Sequence, residues 1–388
     1  MKKIYLDVAG KMHSLYNEMI NYPPEGYEFI SEQVSWDKRS KSISNTDFIY
    51  SFQKNVLGKL MPVNIAKAYL DRFKKIPPDV DLTYSSGHLV FREEPWIIDL
   101  EFVTHLTGYS YRHFKRYRRT VEKILKSENC KKIMPWTDAG KKTILLTIKD
   151  KEILDKVETV HLAVHKKNFT KQYDEDKIKL LFVGSANIPK DFDIKGGKEV
   201  LEAFSKLNEN YDNLELVIRS YVPPQMEEKY KKVKNIKVID NIVPWAELEA
   251  EFKSADIFLF PSHNTPGLAI LDAMSYELPV ITTDVWANPE LVSDGETGFV
   301  IKKSDKIQYY TENFIPNWSA PKSLEVIKKI TDPNVVKELV EKAGILIEDG
   351  SLRKKMGKAG RQEIETGKFS IEERNEKLKN VFDEATGR

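Results

Sequence analysis

Residues Ala255–Ile301 read ADIFLFPSHNTPGLAILDAMSYELPVITTDVWANPELVSDGETGFVI, and this stretch decides the predicted fold. The apolar run Ile257–Phe260 is followed by a polar loop, by a helical apolar pattern that reaches Met274, and by a second apolar run, Leu278–Thr283. Strand, loop, helix and strand in this order form the repeating unit of a parallel sheet. The stretch therefore predicts an α/β fold.

The start of the predicted helix has the residues of an anion-binding site. Thr265 is a favourable N-cap, and Pro266 suits the first helical position. The amides of Gly267 and Leu268 would then lie at a helix N-terminus, where negative charge is favoured and Gly267 leaves room for a phosphate. Asp272 lies one turn further along the same face, near whatever the helix start binds. A plain strand, turn and capped helix is the alternative interpretation.

Seven short motifs follow one another through residues 261–300. They are Pro261-Ser262, Gly267-Leu268, Leu271-Asp272-Ala273-Met274, Leu278-Pro279-Val280-Ile281, Pro289-Glu290-Leu291-Val292, Asp294-Gly295 and Thr297-Gly298-Phe299-Val300. In this order and spacing they resemble the sugar-nucleotide half of the retaining GT-B glycosyltransferases of family four.

The resemblance implies a GT-B fold, in which two Rossmann-like domains face a cleft. It also implies a hexosyltransferase that moves a sugar from a nucleotide-diphosphate sugar, such as a UDP- or GDP-sugar, to an acceptor hydroxyl. The acceptor would be a glycan or a lipid-linked group, and transfer would retain the anomeric configuration. We expect no metal and no cofactor besides the donor substrate itself.

Two site positions depart from the family pattern. The family has a pair of glutamates eight positions apart, and in this chain these positions hold Asn264 and Asp272. Asn264 keeps hydrogen-bonding capacity without the charge, and it is our catalytic candidate beside the sugar. Asp272 keeps the charge on a shorter stem and is expected to bind the ribose. Pro266 replaces the usual aromatic residue and removes one amide donor.

Length and composition agree with two domains in a reducing compartment. A chain of 388 residues suggests two domains at roughly 150 residues each. The net charge of +2 gives no general attraction to nucleic acid. The single Cys130 excludes an internal disulfide and a multi-cysteine metal site. With no signal peptide and no apolar run of ~20 residues, we predict a cytoplasmic protein, and attachment to the inner membrane surface stays open.

The C-terminal half carries the predicted donor-binding residues. We assign residues 173–369 to a nucleotide-sugar domain, and residues 1–172 with a returning helix at 370–388 to an acceptor domain. By resemblance, Lys195 of the pair Lys195-Gly196 would neutralise the departing diphosphate. The family arginine after the first glycine is replaced by Ser185, and Arg219 is our candidate for the missing charge. Val243 would contact the nucleotide base through its backbone. The alternative is that Lys195 and Arg219 are ordinary surface cations.

The N-terminal half alternates apolar runs with polar or helical segments, which predicts a first Rossmann-like domain. Glu101 ends one predicted strand at the edge where ligands bind in open α/β sheets. By resemblance it is our first choice for an acceptor-side or catalytic residue, followed by His105 and His88. Glu101 could instead cap a helix or pair with an arginine, and a lone histidine is more often structural. The predicted strands are Lys3–Ala9, Val80–Tyr84, Pro95–Glu101, Lys131–Pro135, Thr143–Ile148 and Thr159–Val164.

The segment Tyr109–Lys126 predicts a strongly basic helix. It is either a solvated face or a surface that contacts an anionic acceptor or acidic lipid head groups. No nucleic-acid motif accompanies it, so we expect no nucleic-acid partner. Peripheral membrane contact therefore remains an open interpretation of this helix.

Metal use and catalysis itself also have alternatives. Acidic residues with D-x-D spacing occur at 79–81, 174–176 and 191–193. Asp191 and Asp193, just before Lys195, are the pair most able to contradict metal-independent transfer. The replaced glutamate at Asn264 also motivates a non-catalytic GT-B module that binds a sugar nucleotide or a glycan. A sugar-nucleotide epimerase on the same fold would turn over the donor without an acceptor.

Overall fold

The structure is a computed structural model that describes residues 1–8, 14–31, 63–70, 76–174, 176–264, 267–318 and 320–387. The chain divides into two units. Unit 1 comprises Met1–Ala163, Glu312–Ile315 and Ile371–Arg388, and unit 2 comprises Val164–Thr311 and Pro316–Ser370. The boundary predicted after residue 172 lies C-terminal to the observed division, and the helix predicted at 370–388 belongs to unit 1.

Unit 1 is built on a parallel sheet with the strand order β2-β1-β3-β4-β5. Its interior strand β4 reads WIIDL and is buried along its whole length. Burial on both faces is what a parallel sheet covered by helices requires. The strands are β1 Lys2–Val8, β2 Tyr27–Ile30, β3 Leu82–Ser86, β4 Trp96–Leu100 and β5 Cys130–Pro135.

The helices of unit 1 bury one apolar stripe each. In α3, Phe114, Val121 and Leu125 face the core, and the Ser110 hydroxyl caps the helix by accepting from the His113 amide. The helices are α1 Ser14–Asn21, α2 Val63–Leu70, α3 Tyr111–Lys126, α4 Asp138–Thr147 and α5 Lys151–Leu154, with short 3₁₀ turns at Val103–Thr107 and Glu312–Phe314.

Unit 2 contains a second parallel sheet, with the order β11-β10-β9-β6-β7-β8. Its core strand β9 is fully buried and is the first apolar run of the stretch that decided the prediction. The strands are β6 Ile178–Val183, β7 Leu214–Arg219, β8 Ile236–Ile239, β9 Ile257–Phe260, β10 Val280–Thr283 and β11 Gly298–Ile301.

Helices of unit 2 connect these strands and then form a C-terminal cluster. They are α6 Lys190–Ile194, α7 Gly197–Leu207, α8 Pro224–Tyr230, α9 Trp245–Ser254, α10 Leu268–Ser275, α11 Asn288–Leu291, α12 Pro321–Lys329, α13 Pro333–Glu348 and α14 Gly350–Glu365. The last helix, α15 Ile371–Ala385, belongs to unit 1. None of the helices in the described part of the chain combines the length and apolar character needed to cross a membrane.

Residues 143–148 were predicted as a strand. This prediction is wrong, because residues 143–147 are the second half of helix α4 and Ile148 is its C-cap. The β-branched residues of this segment favour a strand by propensity. In the fold, Ile144 is buried while the next two leucines are exposed, which is a helical period. The Thr147 hydroxyl donates to the Thr143 carbonyl at 2.6 Å, so the helix satisfies it locally. The predicted strand Thr159–Val164 is also wrong, since these residues form no regular element.

The start of α10 differs from the prediction by two residues. The predicted cap Thr265 and first helical residue Pro266 lie outside the described residues. The helix begins at Leu268, and Gly267 is its N-cap with extended φ and ψ of −85° and 169°. Because glycine has no side chain that can cap, the first amides of this helix receive no side-chain acceptor from their N-cap.

A buried carboxylate lies in the middle of unit 1. Asp99, on β4, is fully buried and accepts hydrogen bonds from the hydroxyls of Tyr16 at 3.0 Å and Tyr84 at 3.1 Å. Burial raises the pKa of Asp99 from 3.8 to about 7, because the ionised form loses its hydration. The two phenols offset part of that cost. Asp99 therefore changes its charge near neutral pH.

The Asp99→Asn variant is expected to flatten the pH dependence of unfolding. The folded chain holds the Asp99 proton up to about pH 7, whereas the unfolded carboxyl releases it near 3.8. Protonated Asp99 therefore contributes its full stabilisation of the fold below pH 3.8, the pKa of the unfolded chain. This contribution is lost as the pH rises through about 7, the pKa of Asp99 in the folded chain. A difference of about three pKa units corresponds to roughly 4 kcal/mol. Urea unfolding between pH 4 and pH 7.5 measures it.

Asp79→Asn is the matched control for this change. Asp79 is exposed in the same unit, and its positive φ of 67° is one that asparagine tolerates. The Asp79→Asn variant should show the same decline in the free energy of unfolding with rising pH as the wild-type protein. Equal slopes in the wild-type and Asp99→Asn proteins would contradict the assignment.

Candidate functional site

The sheet of unit 2 has a point where its strand order reverses. From β6 the chain continues to β7 and β8 on one side, and it then returns to β9, β10 and β11 on the other. Strands β6 and β9 are neighbours that pair in parallel. In open α/β sheets, ligands bind outside the carboxyl ends of the strands at such a point. The carboxyl ends of β6 and β9 are therefore the candidate site in unit 2.

Two loops meet at this edge. Gly196 has a φ of 85°, and a Cβ there would collide with the Pro261 carbonyl oxygen, so only glycine allows this approach. The His263 amide donates to the Ile194 carbonyl at 2.8 Å. The predicted Lys195-Gly196 pair and the loop after β9 are thus held in direct contact.

Lys195 and Arg219 form a pair of cations at the edge. Burial and the charge of Arg219 lower the pKa of Lys195. The Asp191 carboxylate, 3.8 Å from the Lys195 amine, acts in the opposite direction and raises it. The Lys195 side chain is 21% exposed. The Arg219 guanidinium contacts the Gly184 carbonyl at 3.4 Å, and its Nε has no hydrogen-bond partner among the described residues. Two neighbouring cations with unused donors are suited to bind an anion.

The other predicted donor residues surround the start of α10. A Cβ at Gly267 would meet the Ala269 backbone nitrogen at 3.8 Å, an ordinary van der Waals distance. Leu268 begins the helix, and Asp272 is partly buried one turn later. Asn264 is partly buried at the end of the preceding loop. Val243 lies apart from them along the chain, partly exposed between β8 and α9.

Asn264 is oriented by its neighbour. The Ser262 hydroxyl donates to Asn264 Oδ1 at 2.6 Å, and the backbone N–H of Asn264 donates to Ser262 Oγ at 3.2 Å. This network assigns the side-chain carbonyl to Ser262 and leaves the side-chain NH₂ as a donor. Asn264 can therefore donate to a ligand, whereas the glutamate of the family pattern would accept.

In unit 1, His88 belongs to a buried charge cluster at the carboxyl edge of the sheet. His88 is fully buried, and its Nε2 lies 3.3 Å from Asp7 and 3.1 Å from the Lys67 amine. Its Nδ1 lies 3.1 Å from the Ser86 carbonyl. The Arg92 guanidinium lies 3.6 Å from Asp7. His88 is thus enclosed by protein groups rather than open to solvent.

Glu101 and His105 lie at the same edge as His88. The Tyr109 side chain hydrogen-bonds to Glu101 and stacks on the His105 ring at 4.5 Å. His105 packs over Gly87, where a Cβ would collide with its ring. Desolvation, with a smaller contribution from His88, lowers the pKa of His105 to about 3. His105 is therefore neutral at physiological pH.

Several polar residues at these edges were missed by the sequence reasoning. Asp7 and Asp99 are acids inside apolar strands, and Glu199 lies within an apolar helical pattern. A charged residue in an apolar run is the only signal that the sequence offers for them, because a buried charge needs a partner. His263 carries no such signal in its polar loop.

The acidic pair considered for a metal is engaged with lysines. Asp191 lies 3.8 Å from Lys195, and Asp193 lies 3.8 Å from Lys198. Within the described ranges, no group of three or more His, Cys, Asp or Glu side chains is arranged to hold a metal ion. Metal-independent transfer stays a prediction.

Replacing Gly196 by alanine is expected to destabilise unit 2 more than replacing Gly295. Both glycines have positive φ, 85° and 77°, which costs alanine on the order of 1 kcal/mol. Only at Gly196 does the new Cβ also meet the Pro261 carbonyl, whereas nothing lies within 4 Å at Gly295. Urea unfolding of the two variants measures the difference, and equal losses would show that the two loops can separate without cost.

Comparison with known proteins agrees with this geometry. Residues 177–314 match the family described as glycosyl transferases group 1. The capsular polysaccharide biosynthesis glycosyltransferase CapM of Staphylococcus aureus is 30% identical over 132 residues, which is 34% of this chain and 27% of CapM. A probable sucrose-phosphate synthase of Thermosipho melanesiensis is 29% identical over 229 residues, 53% of this chain and 52% of that protein. The chain thus spans about half or less of these relatives.

The fold is shared over a greater length. The crystal structure of Anabaena HepE in complex with UDP and glucose superposes with a TM-score of 0.59 at 12% identity, and 99% of each chain is covered. An identity this low speaks for the fold alone. The predicted α/β fold of two Rossmann-like domains is confirmed. Residues 177–314 are therefore similar to the glycosyl transferases group 1 family, within a chain that has the GT-B fold.

Proposed function

We propose that the protein is a glycosyltransferase that moves a sugar from a nucleotide-diphosphate sugar to an acceptor hydroxyl. One observation carries the proposal. Arg219 holds an Nε donor that is unused among the described residues, and it stands beside Lys195 at the strand-order reversal of unit 2, inside the segment that matches glycosyl transferases group 1. A diphosphate supplies an acceptor for that Nε and negative charge for both cations, of which Lys195 has Asp191 only at 3.8 Å.

The chemistry follows from where charge develops. When the bond between the anomeric carbon and the diphosphate breaks, negative charge grows on the leaving oxygen and positive charge on the sugar ring. Lys195, Arg219 and the open amides at the start of α10 stabilise the first of these charges. These donors are held by the fold before the reaction, so they need little reorganisation.

The remaining donor residues bind the rest of the nucleotide and the sugar. Asp272 accepts from the ribose hydroxyls, and the backbone near Val243 contacts the base. Asn264 donates through its NH₂ to a sugar hydroxyl. The complexes of HepE with UDP and UDP-glucose support a uridine donor, and a GDP-sugar is the alternative. Retention of configuration, membership of family four and metal independence are part of the proposal through the resemblance.

The acceptor is assigned to unit 1. Glu101 is partly buried at the carboxyl edge of its sheet and is the candidate for contact with the acceptor hydroxyl. His105, whose pKa is lowered to about 3, acts as a neutral hydrogen-bonding group there. The full burial of His88 favours support of that edge over direct contact. A glycan or lipid-linked acceptor fits a site built for hydroxyl groups.

The second candidate function is a non-catalytic module that binds a sugar nucleotide or a glycan. It is favoured by Asn264, because an amide cannot provide the negative charge that a glutamate would place beside the sugar ring. Donor binding without transfer to any acceptor would support it. Donor turnover without an acceptor would instead indicate an epimerase.

Lys195→Ala is expected to abolish thermal stabilisation by the correct nucleotide. A ligand that binds only the folded state, at ~100 times its Kd, adds about 2.7 kcal/mol. Thermal melts with UDP, GDP, ADP and their sugar conjugates measure the effect. Lys190→Ala is the matched control, because Lys190 is exposed on the neighbouring α6. If no nucleotide shifts the wild-type protein, the donor-site assignment fails.

We also propose that helix α3 contacts an anionic membrane surface. Arg112, Arg116, Arg119 and Lys123 follow one another at intervals of four, three and four residues, so they form one stripe roughly 16 Å long. All four are exposed. None of them has an ion pair among the described residues, whereas Arg118 pairs with Glu122 at 2.8 Å.

The charge of this helix contrasts with the rest of the chain. The helix holds seven Lys or Arg and one Glu, a net of 7 − 1 = +6. The whole chain has +2, so the remainder has 2 − 6 = −4. A localised cationic stripe on an otherwise slightly acidic chain is suited to acidic lipid head groups, since each basic residue contributes about 1 kcal/mol near such a surface.

Neutralising the stripe is expected to weaken binding to vesicles that contain phosphatidylglycerol by on the order of a hundredfold or more. Vesicle sedimentation compares the wild-type protein with the quadruple variant Arg112→Gln, Arg116→Gln, Arg119→Gln and Lys123→Gln. The control neutralises four cations that have carboxylate partners, with the same change in net charge: Lys115, Arg118, Lys126 and Lys151. Equal losses in both variants, or binding to oligonucleotides but not to vesicles, would refute membrane contact.

A further inference from the structure

A carboxylate is buried in the first turn of α7. Glu199 has no exposed surface, and neither of its side-chain oxygens has a hydrogen bond within the geometric limits among the described residues. Its one close polar neighbour in an ion pair is His263 Nε2, at 3.4 Å from Oε1. A buried charge without good partners is costly. Burial of Glu199 therefore costs stability, and a function of this residue would explain why it is there.

The imidazole of His263 is held on both sides. It is 1% exposed, and its Nδ1 lies 2.9 Å from the Tyr309 hydroxyl. The Ser304 backbone hydrogen-bonds to the same hydroxyl and lowers the pKa of Tyr309, as a donating N–H does. Tyr309 then donates to Nδ1, and Nε2 carries the proton that faces Glu199. Glu199 faces the protonated Nε2 from 3.4 Å, and this electrostatic contact favours the same tautomer and ring orientation.

The loop that carries His263 is the one that forms the donor edge. Its backbone amide donates to Ile194, immediately before Lys195. On one side of His263, the Thr283 hydroxyl donates to the Ser262 carbonyl. On the other side stands Asn264, the proposed sugar contact. The position of His263 therefore determines where both Lys195 and Asn264 stand.

Lys198 and Asp193 are further charged groups near Glu199. Lys198 is the neighbouring cation, and its amine donates to the carbonyls of Ile327 at 2.5 Å and Lys328 at 2.9 Å. Lys198 also lies 3.8 Å from Asp193. These contacts tie α7 to α12 and to α6. The His263 imidazole is the contact that connects Glu199 to the loop after β9.

We propose that Glu199 and Tyr309 are positioning residues that, through His263, hold the Lys195 loop and the Asn264 loop in the arrangement that binds the donor diphosphate and sugar. The inference rests on the proposed function for its ligand, but not for its geometry. Glu199, His263 and Tyr309 are too buried to touch a ligand themselves. They act by excluding other loop conformations, as preorganisation requires.

Two single variants test the connection. His263→Leu removes both hydrogen-bonding nitrogens, leaves Glu199 unpaired, and is expected to weaken UDP binding roughly tenfold or more, which corresponds to ~1.4 kcal/mol per tenfold. His263→Gln can donate to Glu199 and accept from Tyr309, so it should recover most of the affinity. Tyr230→Phe is the matched control. It removes the hydrogen bond from the Tyr230 hydroxyl to Glu202, which lies on α7 like Glu199, and it should leave UDP affinity unchanged.

The double variant Glu199→Leu/His263→Leu separates stability from positioning. Replacing a buried ion pair by apolar side chains of similar volume often restores or raises stability. We expect the double variant to regain stability over His263→Leu, while amide hydrogen exchange of residues 257–264 and 194–197 stays faster than in the wild-type protein. UDP affinity should remain low. Hydrogen exchange, urea unfolding and calorimetry with UDP provide the three measurements.

The outcomes distinguish the inference from the proposed function. If the double variant regains wild-type exchange and wild-type UDP affinity, the network only fills the core and the inference fails. If exchange in both loops rises while the wild-type protein itself binds no UDP or GDP, the positioning role stands and the donor assignment fails. Fast exchange throughout unit 2 in every variant would show global loosening, and this too would overturn the inference.

Discussion

The packing of parallel strands with both faces buried is the constraint on which the rest of this structure depends. Strands such as β4 and β9 leave no exposed side along their length. Polar groups that must meet a ligand can therefore stand only at the strand ends. In unit 2 this edge collects Lys195, Arg219 and the start of α10, and in unit 1 it collects Glu101 and the cluster around Asp7.

The two edges treat charge in opposite ways. In unit 1 the acids are partnered: Asp99 accepts from two tyrosines, and Asp7 lies beside basic side chains. In unit 2 the Arg219 Nε has no hydrogen-bond partner among the described residues, Lys195 has Asp191 at 3.8 Å, and burial lowers the pKa of both cations. A site for a diphosphate needs positive charge that is not yet neutralised. This difference between the edges is the reason for the proposed donor role of unit 2 and the proposed acceptor role of unit 1.

The close approach of Gly196 to Pro261 joins local backbone conformation to function. A positive φ and the absence of a Cβ bring the Lys195 loop against the loop after β9. Behind that contact, the imidazole of His263 is fixed by Glu199 and Tyr309. Backbone geometry and buried polar contacts therefore form one connected arrangement at this edge.

The sequence by itself determined the parallel α/β class, the order of most strands and the candidate donor edge, because apolar periodicity and the motifs of residues 261–300 are local. It failed at Thr143–Ile148, where strand propensity lost to a helical pattern of burial. Only the tertiary structure decided which polar residues are buried and what they contact. Glu199, His263 and Tyr309 are distant in sequence, and no local pattern encodes a hydrogen bond across 46 residues. Long-range pairing, and the desolvation that comes with it, exist only after the chain has folded.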